Sequence, residues 1–425
     1  MKNSILKRTL KKYNHLVRFS SIVFLALLIF LSIEGCKVIK VYKEMTTGEA
    51  NVVAMPDTIP FEFKNGLIIV KVNINNQKEY DFILDTGAPT VIWAEAAQEL
   101  NLEKSDVSHV SSDGNGQDQH LQFFKTKSIA IGKMVYRNMN IAYLESMSKE
   151  LACYANGGIL GGNFLMHYNW QIDYKNKRLI ACTNFDKLTI PSNAQKVDAL
   201  FTMPQGQILI DDIRFLGSKD YVIMDTGFTG DFELAKDLGN SLLKRYKGEI
   251  IKIQGYGALS TGGRVQSENK YIKTKLSLPM DTLQNVILNM TAARSKMGNE
   301  YLSQFETITI HYTTKEKAIY FGKKVSKPII DFSFGFTPYF DSKDNKFKIG
   351  GIYEKSAAQK AGLAIDDIII SINDKDLSYI DFDQYCQSIS QEINYFDLTE
   401  NECNLKIDRN GEIKSFNLKK VPLFK

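Results

Sequence analysis

The chain has 425 residues, of which 44% are hydrophobic and 11% aromatic, and its formal net charge is +5 at pH 7. This length predicts two to four domains, and the composition is typical of packed, β-rich cores. Six of the 53 basic residues and one of the 48 acidic residues precede Cys36, which leaves 47 of each in the remainder. The remainder is near neutral and has no basic run, so the charge gives no support to nucleic-acid binding.

The amino terminus has the pattern of a secretory signal segment, because basic residues from Lys2 to Arg18 precede an apolar run at residues 22–33. This run is shorter than the roughly 20 residues that a spanning helix needs, although residues 16–21 extend it to a marginal signal anchor. The run leads into Ile33-Glu34-Gly35-Cys36, which resembles the lipobox of bacterial lipoproteins. The resemblance implies a signal peptide at residues 1–35 and a lipid on Cys36.

The predicted location is therefore the bacterial cell envelope, with the chain anchored to the membrane and facing the periplasm or the cell surface. An uncleaved signal anchor and a plain secretory signal peptide are the alternatives to lipidation of Cys36. Residues 36–55 show no regular period and are predicted to be a tether.

The triplet Asp-Thr-Gly occurs twice, as Asp85-Thr86-Gly87 and as Asp225-Thr226-Gly227, and each copy closes an apolar run. One triplet is weak evidence, since these residues are common in tight turns at strand ends. The pair is supported by a second repeated landmark, Ile159-Leu160-Gly161 in the first half and Lys296-Met297-Gly298 in the second. The aspartates lie 140 residues apart and the landmark glycines 137, so the two halves share one plan.

Each landmark leads into two strand-like runs separated by turn residues, at residues 169–174 and 178–180, and at residues 307–312 and 318–321. Helices are predicted at equivalent points after each triplet, over residues 94–100 and 234–246. A repeat this long indicates duplicated domains, because the units of a solenoid are only roughly 20 to 50 residues long. We therefore expect two lobes that fold alike and face each other, at residues 56–190 and 191–325.

These motifs resemble those of the retropepsin-like, pepsin-related aspartic proteases, with both lobes on one chain. The resemblance covers roughly residues 56–325 and implies two β-barrel lobes whose catalytic pair is Asp85 and Asp225. Gly161 and Gly298 would pack behind the pair. The residues expected to support the pair, by hydrogen bonds across the lobes and by close backbone approach, are Thr86, Gly87, Thr226 and Gly227.

Two carboxylates about 3 Å apart in a partly buried site cannot both be ionised, so the pair shares a proton. The ionised member takes a proton from the attacking water, and the protonated member donates to the peptide carbonyl oxygen. This chemistry requires no metal and no cofactor, and the sequence has neither a zinc-binding His-Glu pattern nor a Gly-x-Ser-x-Gly elbow. The symmetry of the pair leaves open which aspartate is the acid.

The residue after each triplet departs from the two-lobed pepsin pattern, in which Ser or Thr supports the carboxylate. Ala88 matches the retroviral version of the family, whereas Phe228 is bulky and offers no hydrogen bond. Phe228 is interpreted either as an apolar wall of the cleft or as a sign of a weakened second lobe.

Hairpin flaps cover the cleft in this family, and each half has a Gly-rich candidate between its triplet and its landmark. The candidates are residues 111–116, which include Gly114, and residues 255–263, in which Tyr256 is predicted to reach substrate. Ordinary mobile loops are the equally favoured alternative.

The last hundred residues carry a second resemblance, to PDZ domains of the bacterial kind, with a predicted domain at residues 326–425. Residues 355–363 indicate a short helix and a Gly turn, and residues 366–373 indicate an Asp-Asp step and a buried strand. Apolar residues spaced by three and four predict a groove helix at residues 381–394. A hairpin is predicted across Arg409-Asn410-Gly411.

PDZ domains bind an extended peptide as an added strand, and the resemblance implies that the loop Phe334-Gly335-Phe336 holds its terminal carboxylate. The expected partners are a peptide or protein substrate in the cleft and a peptide ligand in the PDZ groove. The domain is predicted to recruit substrate ends or to regulate access to the protease, with a purely structural module as the alternative.

Four cysteines follow Cys36: Cys153 and Cys182 in the first lobe, and Cys386 and Cys403 in the PDZ domain. Oxidising surroundings would permit one disulfide within each of these domains. Buried free thiols are at least as favoured, and no cysteine has metal-ligand spacing.

The sequence thus predicts a mainly β, membrane-anchored aspartic endopeptidase with a carboxy-terminal PDZ domain. One alternative is a non-catalytic peptide-binding lipoprotein with a vestigial cleft, which depends on whether Phe228 blocks approach of the carboxylates. The other is an envelope scaffold that acts through the PDZ groove alone and retains function when Asp85 is replaced.

Overall fold

The structure, a computed structural model, describes residues 38–144, 147–313, 316–325, 332–396 and 398–424. The predicted signal peptide at residues 1–35 and the predicted lipidation site Cys36 lie outside the described residues. Strands predominate over helices, which confirms the mainly β fold class. Within the described ranges, no helix has the length and apolar character needed to cross a membrane.

The first half of the chain folds into a curled sheet of eleven strands and contributes three more strands to a sheet between the lobes. Its helices are α1 (residues 38–46), α2 (Ala94–Glu99), α3 (Lys149–Ala152) and α4 (Gly162–Leu165), and residues Phe185–Lys187 form a 3₁₀ turn. Its strands are β1 (Glu49–Ala50), β2 (Asp57–Pro60), β3 (Glu62–Lys64), β4 (Leu67–Ile74), β5 (Lys78–Asp85), β6 (Val91–Ile92), β7 (Glu103–Ser112), β8 (Asp118–Lys125), β9 (Ser128–Ile131), β10 (Met134–Arg137), β11 (Asn140–Leu144), β12 (Gly158–Gly161), β13 (Asn169–Asp173) and β14 (Arg178–Cys182).

The second half repeats this plan with a smaller sheet. Its helices are α5 (Lys236–Leu243) and α6 (Asn299–Leu302). Its strands are β15 (Gln195–Phe201), β16 (Ile208–Phe215), β17 (Ser218–Met224), β18 (Phe232–Ala235), β19 (Ile250–Tyr256), β20 (Gln266–Ser277), β21 (Thr282–Ala292), β22 (Lys296–Met297), β23 (Thr307–His311) and β24 (Ala318–Phe321). Strand β5 pairs in parallel with β12, and β17 pairs in parallel with β22, so the triplet and landmark strands are neighbours in both lobes.

Strand β4 shows why the apolar run at its start is continuous. Successive side chains of a strand point to opposite faces. Ile68 and Val70 lie in the core shared by the two lobes, whereas Leu67 and Ile69 lie in a second apolar cluster on the cleft side. Both faces of β4 are therefore buried, and the strand fixes the floor of the cleft.

The two lobes are joined by a six-stranded antiparallel sheet in the order β2-β14-β13-β23-β24-β15. The predicted strand pairs after each landmark form its centre, where β13 of the first lobe pairs with β23 of the second. The predicted helices are present but shorter than predicted, at α2 and α5. The limits of the two lobes remain predictions, since this shared sheet crosses them.

The carboxy-terminal part, predicted to be a PDZ domain, folds around its own apolar core. Its helices are α7 (Ala357–Ala361) and α8 (Phe382–Ser390). Its strands are β25 (Phe332–Ser333), β26 (Phe336–Asp341), β27 (Lys346–Tyr353), β28 (Ile368–Ile372), β29 (Lys375–Asp376), β30 (Glu402–Arg409), β31 (Glu412–Lys419) and β32 (Val421–Pro422).

Local sequence explains the ends of these PDZ elements. Asn410 and Gly411 both have positive φ, 56° and 85°, as a two-residue type I′ hairpin turn requires, so the predicted β30–β31 hairpin is present. Helix α8 begins at a capping box, in which Asp381 accepts from the Gln384 N–H. The helix ends before the predicted residue 394, and Ile393, an apolar residue within the predicted range, is 47% exposed.

Residues 38–55 are packed on the first lobe, so the predicted tether is wrong for this part of the chain. Residues 38–46 form helix α1, in which Met45 is buried. Glu49 and Ala50 then pair with Arg137 and Tyr136 at the edge of the sheet. The helix is short and the strand has two residues, too little sequence for either period to be recognised.

The cysteines form a bond between domains, which was not among the possibilities considered from the sequence. Cys153 forms a disulfide with Cys386, with a Cα–Cα distance of 4.7 Å, so the bond joins the first lobe to the PDZ domain. Cys182 and Cys403 are buried free thiols. The possible pairs within single domains are therefore not formed, because the segment after α3 lies against helix α8, a contact between residues 233 positions apart.

The PDZ domain is also joined to the second lobe. Strand β27 pairs antiparallel with β19 through Tyr353 and Ile253 and their neighbours. This approach requires glycine at position 255, since a Cβ there would lie 2.0 Å from the Gly350 carbonyl oxygen. One backbone ladder thus continues from the second lobe into the PDZ domain.

Candidate active site

The two triplets lie face to face where the lobes meet. Asp85 is the last residue of β5, and Asp225 directly follows β17. The adjacent threonines are fully buried and bond symmetrically across the lobes. The Thr86 N–H donates to Thr226 Oγ1 over 3.1 Å, and the Thr226 N–H donates to Thr86 Oγ1 over 3.2 Å. Each hydroxyl also donates to the backbone carbonyl that precedes the opposite aspartate, Met224 or Leu84.

The glycines of the triplets allow the carboxylates to approach the opposite lobe. A Cβ on Gly227 would lie 2.2 Å from Asp85 Oδ2, and a Cβ on Gly87 would lie 2.7 Å from Asp225 Cγ. The same glycines donate their N–H groups to their own aspartates, over 2.7 Å to Asp85 and 3.0 Å to Asp225. Any side chain at these positions would push the two carboxylates apart.

The landmark glycines pack behind the triplets. A Cβ on Gly161 would lie 2.3 Å from the Ala88 carbonyl oxygen, and a Cβ on Gly298 would lie 2.4 Å from the Phe228 carbonyl oxygen. The next backbone N–H group in each lobe, that of Gly162 or Asn299, donates to the same carbonyl oxygen over 2.8 Å. The geometry agrees with the structural role predicted for Gly161 and Gly298.

Burial and charge set the protonation of the pair. Burial raises the pKa of Asp85 well above its ordinary value, and the nearby Asp225 carboxylate raises it further. Burial also raises the pKa of Asp225, but the Lys296 ammonium acts in the opposite direction. A proton shared by two adjacent carboxylates is therefore favoured over two negative charges.

The pair lies in a cleft of about 560 Å³ between the lobes. Apolar side chains line it on the first-lobe side, and three cationic side chains, Arg264, Arg294 and Lys296, face it from the second. Phe228 lines the cleft without separating the carboxylates, because its ring folds back over Gly230 and Gly298. The interpretation of Phe228 as an apolar wall thus agrees with its position.

The two flap candidates meet over the cleft. Asn115 Nδ2 donates to the carbonyl oxygens of Ala258 and Gly263, over 3.0 and 3.1 Å. The Gly262 N–H donates to Asp113 Oδ2 over 3.1 Å. Gly114 lines the cleft between these contacts. The Gly-rich segments of the two lobes thus form a continuous roof.

Tyr256, predicted to reach substrate, is not among the residues that line the cleft. Its hydroxyl donates to Asp366 over 3.3 Å, and its ring lies 4.9 Å from that of Tyr339. Both partners belong to the PDZ domain. Strand β19 carries Tyr256 to this contact because β19 pairs with β27.

Sequence reasoning missed several polar residues of the cleft. Gln207 Nε2 donates to the Gly87 carbonyl oxygen over 2.6 Å, and Arg294 donates to Gln207 Oε1 over 3.3 Å. Neither residue lies in a repeated motif. A comparison of the landmarks residue by residue would have shown that Lys296 replaces Ile159.

The predicted carboxylate loop of the PDZ domain lies between β25 and β26. Phe334 and Phe336 are buried, and Gly335 has a φ of 88°. The Gly335 N–H donates to Ser333 Oγ over 2.9 Å. Across the groove, Phe340 of β26 stacks on Tyr385 of α8 with ring centroids 4.4 Å apart.

Among the described residues, no group of three or more His, Cys, Asp or Glu side chains is placed to hold a metal ion. The charged side chains that line the cleft are those of Asp85, Asp113, Asp225, Arg264, Arg294 and Lys296.

The family comparisons agree with this geometry. Residues 70–164, which include the first triplet and the first landmark, match the model of an aspartyl protease family, and residues 348–394 match the model of a PDZ domain. The chain thus contains one segment that matches an aspartyl protease family and another that matches a PDZ domain. The protease family indicates a peptidase, and the PDZ domain indicates binding of peptides or proteins.

No curated protein matches the chain. Among solved structures, it is similar to "HtrA-type protease AlgW with tripeptide" at 10% identity and a TM-score of 0.17, over 60% of this chain and 93% of the other. It is also similar to a PDZ domain protein from Parabacteroides distasonis at 10% identity and a TM-score of 0.17, over 88% and 98%. The assignments above rest on the family models and the geometry.

Proposed function

We propose that the protein is an aspartic endopeptidase that hydrolyses peptide bonds with a water activated between Asp85 and Asp225. The observation that carries the proposal is the approach of the two carboxylates, each packed against the triplet glycine of the other lobe. One aspartate accepts the proton of the water, and the other donates to the carbonyl oxygen of the substrate. The threonine bonds across the lobes hold this geometry.

A non-catalytic peptide-binding protein is the alternative, and two features weigh against it. Phe228 does not stand between the carboxylates. The threonines that support both triplets are fully buried. Isolated buried carboxylates are costly. A cleft that only bound peptides would have no need of two of them.

The PDZ domain is proposed to bind peptides and to control access to the cleft. It is bonded to the first lobe through the disulfide and to the second through β19, the strand that leads into the second half of the roof. Movement of the domain therefore acts on both sides of the cleft. Recruitment of substrate ends at the PDZ groove is compatible with this role.

An oxidising compartment outside the cytoplasm is proposed as the site of action. The signal-like amino terminus motivated this prediction, and the disulfide supports it, because such bonds persist in oxidising surroundings. Lipidation of Cys36 is proposed as the anchor. Mass analysis of the mature amino terminus tests it, since a diacylglyceryl group on Cys36 is expected and an unmodified, uncleaved chain would refute it.

The function is tested by cleavage of an unstructured protein between about pH 4 and 7, with the native chain and with Asp85→Asn and Asp225→Asn. Each substitution should lower kcat/KM by about a thousandfold or more, because neither carboxylate acts without the other. Asp211→Asn, on the exposed surface of the second lobe, is the control and should keep native activity. Equal activity in all four chains would refute the proposed pair.

A further inference from the structure

Beside the aspartates, the two lobes carry different residues at equivalent positions of one strand pair, as the strand register shows. In the first lobe, Ile159 pairs with Ile83 on one side and with Val91 on the other. In the second lobe, Lys296 pairs with Ile223, the counterpart of Ile83, and with Glu233. A buried apolar pair in one lobe is thus an ion pair in the other.

The ion pair is well formed and shielded from solvent. Lys296 Nζ lies 3.1 Å from Glu233 Oε2, and their side chains are only 14% and 6% exposed. Asn289 donates to the second Glu233 oxygen over 3.1 Å. Lys296 Nζ also lies 4.3 Å from the centroid of the Phe228 ring. Phe228 occupies the position of Ala88, so its bulk covers the ammonium on one side.

This arrangement brings the positive charge of Lys296 to the pair from the second lobe, the lobe of Asp225. The Met297 carbonyl oxygen, next to Lys296, accepts from the Asp225 N–H over 2.9 Å, and the Lys296 side chain lines the cleft beside both carboxylates. In the first lobe the matching position is an isoleucine. The first lobe therefore has no cation at the position that matches Lys296.

We propose that Lys296 is a positioning residue that makes Asp225 the ionised member of the pair and leaves the shared proton on Asp85. The inference rests on the proposed function and extends it. Asp225 then takes one proton from water as the water oxygen bonds to the peptide carbon, while the Asp85 proton passes to the carbonyl oxygen. When the C–N bond breaks, Asp225 returns its proton to the leaving nitrogen, and Asp85 recovers one from the diol.

The direction of the electrostatic effects supports this assignment. Burial lowers the pKa of Lys296, but the carboxylates of Glu233, Asp225 and Asp85 outweigh burial and raise it, so the side chain is an ammonium ion. Glu233 opposes Lys296 at Asp225, with the smaller effect. The other charged groups that face the cleft are Asp113 on the first part of the roof, Arg264 on the second, and Arg294 before β22.

Substitutions of the ion pair test the inference through the pH profile of kcat/KM. Lys296→Met should move the acid limb upward by about one pH unit, because the charged pair loses its stabilising cation. Glu233→Gln should move the limb downward. The double variant Lys296→Ile/Glu233→Val rebuilds the apolar pair of the first lobe, so it should fold and still show an upward shift. Lys296→Arg should restore the native limb.

A matched control is Lys219→Met, which removes one positive charge from the exposed part of β17, the strand that leads to Asp225. Its acid limb should stay within about 0.2 pH units of the native one, since a solvated charge is largely screened. The inference is overturned if the double variant leaves the limb in place, or if Lys219→Met moves it as far as Lys296→Met does.

A second measurement separates this inference from the proposed function. Carboxyl-carbon NMR of aspartate-labelled protein, assigned with the two Asp→Asn variants, should show Asp225 ionising at lower pH than Asp85, with the difference reduced in the double variant. If the native chain cleaves nothing, the function fails while this titration still decides the inference. The reverse order of ionisation would refute the role of Lys296.

Discussion

At the scale of single residues, the cleft depends on glycines at positions where a Cβ atom would clash with a carboxylate. A Cβ on Gly87 or Gly227 would meet the carboxylate of the opposite lobe within 3 Å. The sequence showed these glycines as part of a repeated triplet, and the structure gives the physical reason for them. The sequence left the role of Phe228 open. In the structure, the Lys296 ammonium lies beside its ring.

The raised pKa of Asp85 predicts a cost to stability. Burial and Asp225 hold this pKa well above the ordinary value of 3.8, so the folded chain binds the proton more tightly than the unfolded chain. Stability is then lost as the pH rises from that ordinary value through the raised one. Asp85→Asn should therefore be more stable than the native chain at pH 7, by on the order of 1 kcal/mol.

Urea unfolding at pH 4 and pH 7 measures this effect. The gain from Asp85→Asn should shrink toward pH 4, because the aspartate of the unfolded chain begins to bind the proton as the pH approaches its ordinary pKa of 3.8. Asp211→Asn is a suitable comparison, because the pKa of Asp211 is shifted in the opposite direction. A hydrogen bond from the Asp212 backbone lowers this pKa most, and Lys219 lowers it further. A gain of equal size in both variants would show that burial of Asp85 is not its cause.

At the scale of elements, the roof over the cleft is made by two segments that are joined by hydrogen bonds. Asn115 supplies two of the hydrogen bonds between them, and Asp113 accepts a third. The sequence predicted both segments from their glycines but could not show that they meet. Tyr256 was predicted to point to substrate, whereas β19 turns it toward the PDZ domain.

Removal of the Asn115 amide should loosen the roof. Asn115→Ala loses both donors to Ala258 and Gly263, so local opening should become easier and limited proteolysis within residues 257–263 several-fold faster. Asn115→Asp keeps the shape but also lacks the donors, and it should behave alike. Asn417→Ala, on the exposed part of β31, should keep the native rate. A native rate for both Asn115 variants would show that these bonds do not hold the roof closed.

At the scale of the whole molecule, the PDZ domain is part of the frame around the cleft. Its β27 extends the ladder of the second lobe, and Cys386 is bonded to Cys153 of the first. Glu150, three residues before that cysteine, accepts from the Ser342 N–H of the PDZ domain over 3.3 Å. The domain is thus held to both lobes near the cleft.

Loss of the disulfide should weaken this frame. Cys386→Ala and Cys153→Ala should each lower the free energy of unfolding by about 2–5 kcal/mol, the range typical of native disulfides. The double variant should cost little more than either single variant, because all three remove the same bond. Guanidinium unfolding with and without reductant measures this. Additive losses would mean that the cysteines act separately, without a bond between them.

The sequence by itself determined the duplicated lobes, the two aspartates, their glycines and the hairpin of the PDZ domain. These features depend on local backbone demands, such as the left-handed conformations of Asn410 and Gly411, or on motifs that duplication repeats. Tertiary structure alone decided the disulfide partners, the direction of Tyr256 and the ion pair of Lys296 and Glu233. Each of these depends on contacts between segments far apart in the chain, which no local pattern of residues encodes.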